Sequence, residues 1–359
     1  MVNAALDTVD HPCRPGVTKD TDMRTSLADL LATGRVLLAD GATGTNYFDR
    51  GLEAGMAPEI WNLEQPDEVV ALHRAFVAAG ADVILTNTFG CNRQRLRLHD
   101  LHERAYELAR RAAELARAAA DEVDRAVVVA GSVGPTGELF EPLGALTHEV
   151  AVAAFREQIE GLRDGGADVA WIETMSAVEE LRAAATAAIE AGMPYVATAS
   201  FDTAGRTMMG MMPGALADVF EGLAEAPLAF GANCGVGASD LLVSVLAMTD
   251  RTPEAAVAAK GNCGVPHFVG SEAVYSGTPE LMGSYAVLAA DAGARIVGGC
   301  CGTAPEHVAA MRAALDARVP GDRPSVDAIV ERIGPFVNPL PSTNEGRERE
   351  RRRPARRAG

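Results

Sequence analysis

Eight short apolar runs punctuate the chain: "VLLAD" (36–40), "DVILT" (82–86), "AVVVAG" (126–131), "DVAWIE" (168–173), "YVATAS" (195–200), "LAFGAN" (228–233), "AVAAKG" (256–261) and "RIVGG" (295–299). They are nearly continuous in apolar character rather than alternating, which suits strands of a parallel sheet buried on both faces. Ala-rich stretches with helical spacing of apolar positions separate them. Several carry start signals: Ser176 with Glu179, and Thr303 with Glu306, have the spacing of a capping box, and Thr278 precedes Pro279 at a first helical position. Eight strand–helix units over about 300 residues predict an α/β fold of the (β/α)8 barrel type. A doubly wound sheet would want a Gly-rich fingerprint after its first strand, and "DGATGTN" (40–46) has its glycines at the wrong spacing.

The pattern predicts a barrel over 26–335, flanked by two segments without periodicity. Residues 1–25 read as a flexible lead-in, and 336–359 as a disordered basic tail, with seven Arg against three Glu in 341–359. The net charge of −17 over 359 residues argues against nucleic acid as a partner, since phosphate binding needs clustered Lys and Arg. No apolar stretch approaches the roughly 20 residues of a membrane span. The N-terminus also lacks a basic region followed by an apolar one, so a cytoplasmic location with reduced cysteines is expected.

Barrel enzymes carry their chemistry at the C-terminal ends of the strands. Here those ends hold Asp40, Asn87, Ser132, Glu173, Asp202, Cys234, Lys260 and the pair Cys300–Cys301. Cys234 follows the sixth run and the Cys pair follows the eighth, so all three face one rim. Adjacent cysteines rarely bond to each other because the ring they would close is strained. Two readings stand. One is a zinc site with three thiolate ligands and an open fourth position. The other is three small buried apolar residues, the commonest state of free cysteine. Cys263, also on the rim, is read as a spectator, and Cys13 and Cys91 as incidental. His148, His267 and His307 have no metal-ligand spacing to a partner.

"DGATGTN", "TNTFG" (86–90), "WIETM" (171–175), "GANCGVG" (231–237) and "GGCCGT" (298–303), in that order, resemble the zinc-dependent homocysteine S-methyltransferases over residues 35–318. "APEIWNLEQPD", "GSVGPTGE", "SFDTAGRTMMG" and the long segment ending in "VGGCCGT" make the bacterial betaine–homocysteine methyltransferases the most similar branch. The resemblance implies Zn2+ on Cys234, Cys300 and Cys301, and Asp40 and Glu173 on the amino group of homocysteine, with backbone contacts from Gly41. It implies transfer of a methyl group from glycine betaine to the zinc-bound homocysteine thiolate, giving methionine and dimethylglycine. A quaternary ammonium is usually met by aromatic faces. Tyr47, Phe48, Trp61 and Phe89 are the candidates, while Met56 and Gly90 stand where animal betaine enzymes carry further aromatics. Met208, Met209, Met211 and Met212 are read as a lid, with at least two of them filling core.

Three alternatives remain at this level. The donor is a sulfonium such as dimethylsulfoniopropionate or S-methylmethionine, or the thiols serve a non-catalytic zinc or redox sensor. Methyltetrahydrofolate is the third, and fits less well, because folate-dependent relatives carry further folate and corrinoid modules. Small-molecule substrates are the expected partners, with no nucleic acid or membrane, and the protein is a monomer or a homo-oligomer.

Overall fold

The computed structural model describes residues 24–337 except 270 and 271; the expectations for Cys13, most of the lead-in, nearly all of the basic tail and the His267 side chain lie outside the described residues. Eight parallel strands form the barrel: β1 (Leu37–Leu38), β2 (Val83–Leu85), β3 (Val128–Val133), β4 (Val169–Met175), β5 (Tyr195–Ala199), β6 (Ala229–Cys234), β7 (Val257–Gly261) and β10 (Ala294–Gly299). Each of the eight runs read from the sequence overlaps one of them. Consecutive strands pair from β2 round to β7, β10 follows β7, and β1 follows β10. The ring closes where Ala39 bridges Val83 and the Asp40 N–H donates to the Val83 carbonyl at 3.0 Å. The fold is a (β/α)8 barrel.

Side chains along each strand alternate between two buried surfaces. Those facing inward, including Leu37, Val83, Val128, Val169, Trp171, Val196, Ala258 and Ile296, form one apolar cluster. Leu27 and Leu30 of the helix Leu27–Ala32 belong to it, so this helix plugs the barrel. Those facing outward pack under the helices in a second, larger cluster. The barrel is therefore a filled core, and its chemistry is confined to the end that is not plugged.

Three local expectations are corrected. The helix after β4 begins at Val178 behind Ala177, with no side-chain cap, so Ser176 and Glu179 form no capping box. The helix after β10 starts at Pro305 behind Ala304, and the Ala304 N–H is taken by His307 Nδ1 at 3.1 Å rather than by a Thr303–Glu306 box. The fifth unit has no α-helix: 3-10 turns at Pro213–Ala215 and Ala217–Phe220 stand in its place, in a segment interrupted by Pro213, Gly214 and Gly222. Thr278 does cap its helix, accepting from the Leu281 N–H at 3.2 Å. The sequence pattern also missed an antiparallel hairpin, β8 (Pro266–Val269) with β9 (Glu272–Tyr275), inserted between β7 and its helix.

Ile296 lies wholly inside the barrel. Ile296→Ala should lower unfolding free energy by about 2–5 kcal/mol. A urea midpoint unchanged from the parent protein would contradict this account of the interior.

Candidate metal centre and its pocket

One layer above the apolar interior, the inward positions turn polar. Ala130 gives way to Ser132, Trp171 to Glu173 and Ala258 to Lys260, each two residues further along its strand. Lys260 is 1% exposed, and its ammonium lies 5.7 Å above the centre of the Trp171 ring. It donates to Asp40 Oδ1 at 2.9 Å, while Asp40 Oδ2 accepts the Leu85 N–H at 2.7 Å. Glu173 Oε1 accepts from the Ser132 hydroxyl at 2.5 Å. Burial pushes the Glu173 carboxyl up to about 7, against the pull of Lys260. For Asp40 burial likewise wins, raising its carboxyl above the usual range despite the adjacent ammonium.

Beside this charged floor stand three thiols. The sulfurs of Cys234, Cys300 and Cys301 all lie within 4.8 Å of one another, and Cys234 Sγ is 3.9 Å from Cys301 Sγ. Backbone geometry aims them. Cys234 ends β6 in the left-handed region at φ 60°, where a residue with a Cβ is strained. Its neighbour Asn233 is the brace: Oδ1 accepts from the Thr174 N–H at 2.8 Å and the Thr198 hydroxyl at 2.6 Å, and Nδ2 donates to the Thr174 hydroxyl at 2.7 Å. On the other side, the Cys300 N–H donates to the Gly261 carbonyl at 2.7 Å and the Cys301 N–H to Asn262 Oδ1 at 3.1 Å. Asn46 Nδ2 donates to the Thr303 carbonyl at 3.0 Å, so the first motif clamps the last. Gly302, at φ 77°, leaves room for the Tyr275 ring, which would lie 2.2 Å from an added Cβ. This sets the Tyr275 ring beside the Cys301–Gly302 turn. Interaction with the Cys234 and Cys300 sulfurs pulls the Cys301 thiol below its usual range, and the same interactions push the Cys234 thiol up.

A cavity of about 450 Å³ opens over the thiols. Its inner wall is Cys234, Cys300, Cys301, Glu173, Lys260, Ser132 and Gly41; its outer wall includes Phe48, Phe89, Met56, Arg95 and His99. Asn87 lines it too. Several residues singled out from the sequence lie elsewhere. Asp40 is fully buried beneath the wall and reaches the cavity through Lys260. Tyr47 and Trp61 stack on each other at 5.2 Å between ring centres, both in the core, and neither lines the cavity. Asp202 accepts from the Thr203 hydroxyl in the loop after β5. Met211 alone of the four loop methionines is buried, so core filling by two of them is corrected to one, and none lines the cavity. Cys263 is buried and donates its N–H to the Cys301 carbonyl, outside the group of three sulfurs; burial pushes its thiol up to about 11. Lys260 and Tyr275 are the residues that sequence reasoning undervalued. Lys260 carried a signal, a charged residue at the end of an apolar strand; Tyr275, on the unforeseen hairpin, carried none.

Residues 37–315 match the homocysteine S-methyltransferase family model. The chain belongs to the homocysteine S-methyltransferase family. Among curated relatives of this family member are the methionine synthases of Mycobacterium leprae, 34% identical over 348 residues, and Mycobacterium tuberculosis, 35% identical over 309 residues. These alignments cover 89% and 81% of this chain but 28% and 25% of the relatives, so the chain spans about a quarter of their length. The metallated homocysteine methyltransferase MmuM of Escherichia coli shares the fold, with a TM-score of 0.67 at 24% identity, covering 79% of this chain and 98% of that one. Among the described residues no helix is long and apolar enough to cross a membrane.

Removing one partner of a buried ion pair leaves the other uncompensated. Lys260→Met should therefore destabilise the fold by about 3–5 kcal/mol, and adding Asp40→Asn should recover part of that loss. Denaturant titration of the single and double variants tests the coupling; strictly additive effects would show that the pair is not coupled.

Proposed function

We propose that this chain methylates homocysteine to methionine at a Zn2+ ion held by Cys234, Cys300 and Cys301, with glycine betaine as the methyl donor. The observation that carries the reading is the convergence of three sulfurs on one end of a cavity that also presents a carboxylate, Glu173, and aromatic faces. The donor set suits zinc. Tetrahedral zinc with Zn–S bonds of about 2.3 Å needs sulfurs about 3.8 Å apart, and Cys234 and Cys301 stand at 3.9 Å. Three protein ligands leave the fourth position that a catalytic site requires.

Bound Zn2+ would supply the Lewis acidity that makes a substrate thiol, ordinarily mostly protonated at neutral pH, a nucleophile. The chain's own residues do the rest. Glu173, on the cavity wall, receives the substrate ammonium. Asp40 serves this contact indirectly: both its oxygens are engaged, one by Lys260 and one by the Leu85 N–H, so it sets the charge of the floor. Phe48 and Phe89 offer faces to a cationic nitrogen. In the transfer, the homocysteine sulfur forms a bond to the methyl carbon as the N–CH3 bond breaks. The electron pair stays on nitrogen and leaves neutral dimethylglycine amine; the thiol proton passes to solvent.

A sulfonium donor is the second reading. Among the described residues Phe48 and Phe89 are the phenyl rings that line the cavity, with Met56 beside them, and a dimethylsulfonium needs less of a cage than a trimethylammonium. The name of the mycobacterial relatives agrees with methionine as product. A thiol sensor would have no use for Glu173 and Lys260 on the same wall, and the chemistry of that wall favours an amino-acid substrate.

The deciding experiment supplies homocysteine and methyl-labelled glycine betaine to the zinc-loaded protein. Labelled methionine that disappears on chelation supports the reading; no label transfer, with zinc still bound, refutes betaine as donor. Cys301→Ser should lose zinc, measured by metal analysis. Glu173→Gln should keep zinc but raise the homocysteine KM about 10- to 100-fold, the range of a lost charge-assisted hydrogen bond. An unaltered KM would remove Glu173 from the substrate site.

A further inference from the structure

The outer wall of the cavity contains a cation that has no ion-pair partner among the described residues. Arg95 lies on the short helix Arg93–Leu96, whose N-cap Asn92 accepts the Arg95 N–H at 3.0 Å and donates to the carbonyls of Gly134 and Pro135, both at 3.3 Å. The backbone beneath Arg95 is thus tied to the loop after β3. Its side chain runs past two glycines: a Cβ on Gly90 would lie 3.3 Å from Arg95 Cγ, and one on Gly137 would lie 3.0 Å from Nη1. Neighbouring arginines are paired, Arg93 with Glu103 and Glu157, and Arg97 with Glu138. The Arg95 guanidinium has no hydrogen-bond or ion-pair partner among the described residues. Glu59 is the nearest acid on this wall, and Arg95 attracts it only at a distance. Glu59 is buried, and its Oε1 accepts the Gly90 N–H at 2.6 Å. His99 completes this part of the wall.

A planar fork of donors at the mouth of a cavity whose inner end holds the thiols suits a ligand with a carboxylate at one end and the reacting centre at the other. We propose that Arg95 binds the carboxylate of the methyl donor and so restricts donors to carboxylate-bearing onium compounds. The inference rests on the methyl-transfer reading above and names the class of donor that reading leaves open, betaine and carboxylate sulfonium alike. Phe48 and Phe89, between the guanidinium and the sulfurs in this scheme, face the onium centre. Arg95 is a specificity-determining residue, exposed enough that its replacement need not disturb folding.

The test compares wild type, Arg95→Met, Arg95→Lys and, as a control, Arg97→Gln, each zinc-loaded. Donors are glycine betaine, dimethylsulfoniopropionate, and the carboxylate-free tetramethylammonium and trimethylsulfonium ions. Wild type should favour the carboxylate donors. Arg95→Met should raise their KM about 10- to 100-fold, leave the homocysteine KM and the carboxylate-free donors unchanged, and so erase the preference; Arg95→Lys should restore part of it. Arg97→Gln should behave as wild type. Arg95→Met with the wild-type preference intact overturns the role of Arg95 while leaving the methyl-transfer reading standing. Equal use of carboxylate and carboxylate-free donors by wild type overturns it also. No methionine from any of the four donors overturns the inference together with the reading it rests on.

Discussion

A lysine ammonium sealed between two carboxylates and an indole ring sets the terms for everything above it. Lys260 is held by Asp40, rests over Trp171 and faces Glu173, and removing either Lys260 or Asp40 leaves the other's charge unpaired in an apolar barrel. Burial works against the ammonium, yet its carboxylate neighbours hold it charged, with its pKa above the usual lysine range. This pair marks the level at which the interior changes from a filled hydrophobic core to a reactive surface. Below it every inward residue is apolar; above it the walls carry thiols, a carboxylate and hydroxyls.

The thiol group depends on that floor and on two asparagines. Asn233 and Asn262 sit beside Cys234 and Cys263 in related "GANCG" and "KGNCG" contexts, yet their side chains do different things. Asn233 locks the β4 and β5 ends to β6 and stabilises the strained backbone at Cys234. Asn262 Nδ2 donates to the Gly235 carbonyl and Oδ1 accepts the Cys301 N–H, joining the loops after β6 and β10. A positive φ at Cys234 is thus fixed from several directions, as strained positions at functional sites require. Sulfur positions set by backbone and amide bonds are preorganised for an ion, because little ordering is left to be done on binding.

The cavity is asymmetric in charge. Its inner end gathers anionic character, in the thiols and Glu173, moderated by one buried lysine, and its outer end presents Arg95 and His99 beside two phenylalanines and a methionine, with the Glu59 carboxyl buried behind them against the Gly90 N–H. Under the proposed function, such a gradient would order two small zwitterions: an amino acid with its thiol inward, and a second molecule whose cation points at the sulfur and whose anion points out. Electrostatics of this kind orients substrates more than it holds them.

Much of this was legible in the sequence. Eight apolar runs located all eight barrel strands, because strands buried on both faces carry their signal in composition alone. The paired cysteines and the upstream Asn-Cys stood out because chemistry at strand ends is local in sequence even when the site is not. Helix starts at Val178 and Pro305, the missing fifth helix and the hairpin before Tyr275 were not legible, since caps and insertions are decided by competing local hydrogen bonds and by what the neighbouring loops cover. Tyr47 and Trp61 show the same limit: an aromatic near a rim motif has no sequence mark that separates core from cavity. The sequence by itself determined the barrel, its polarity and the identity of the three thiols. Only the tertiary structure decided that Asp40 belongs to Lys260 and that Arg95 lines the cavity with no partner among the described residues, because those relations join residues 220 positions apart in one case and depend on side-chain packing in the other.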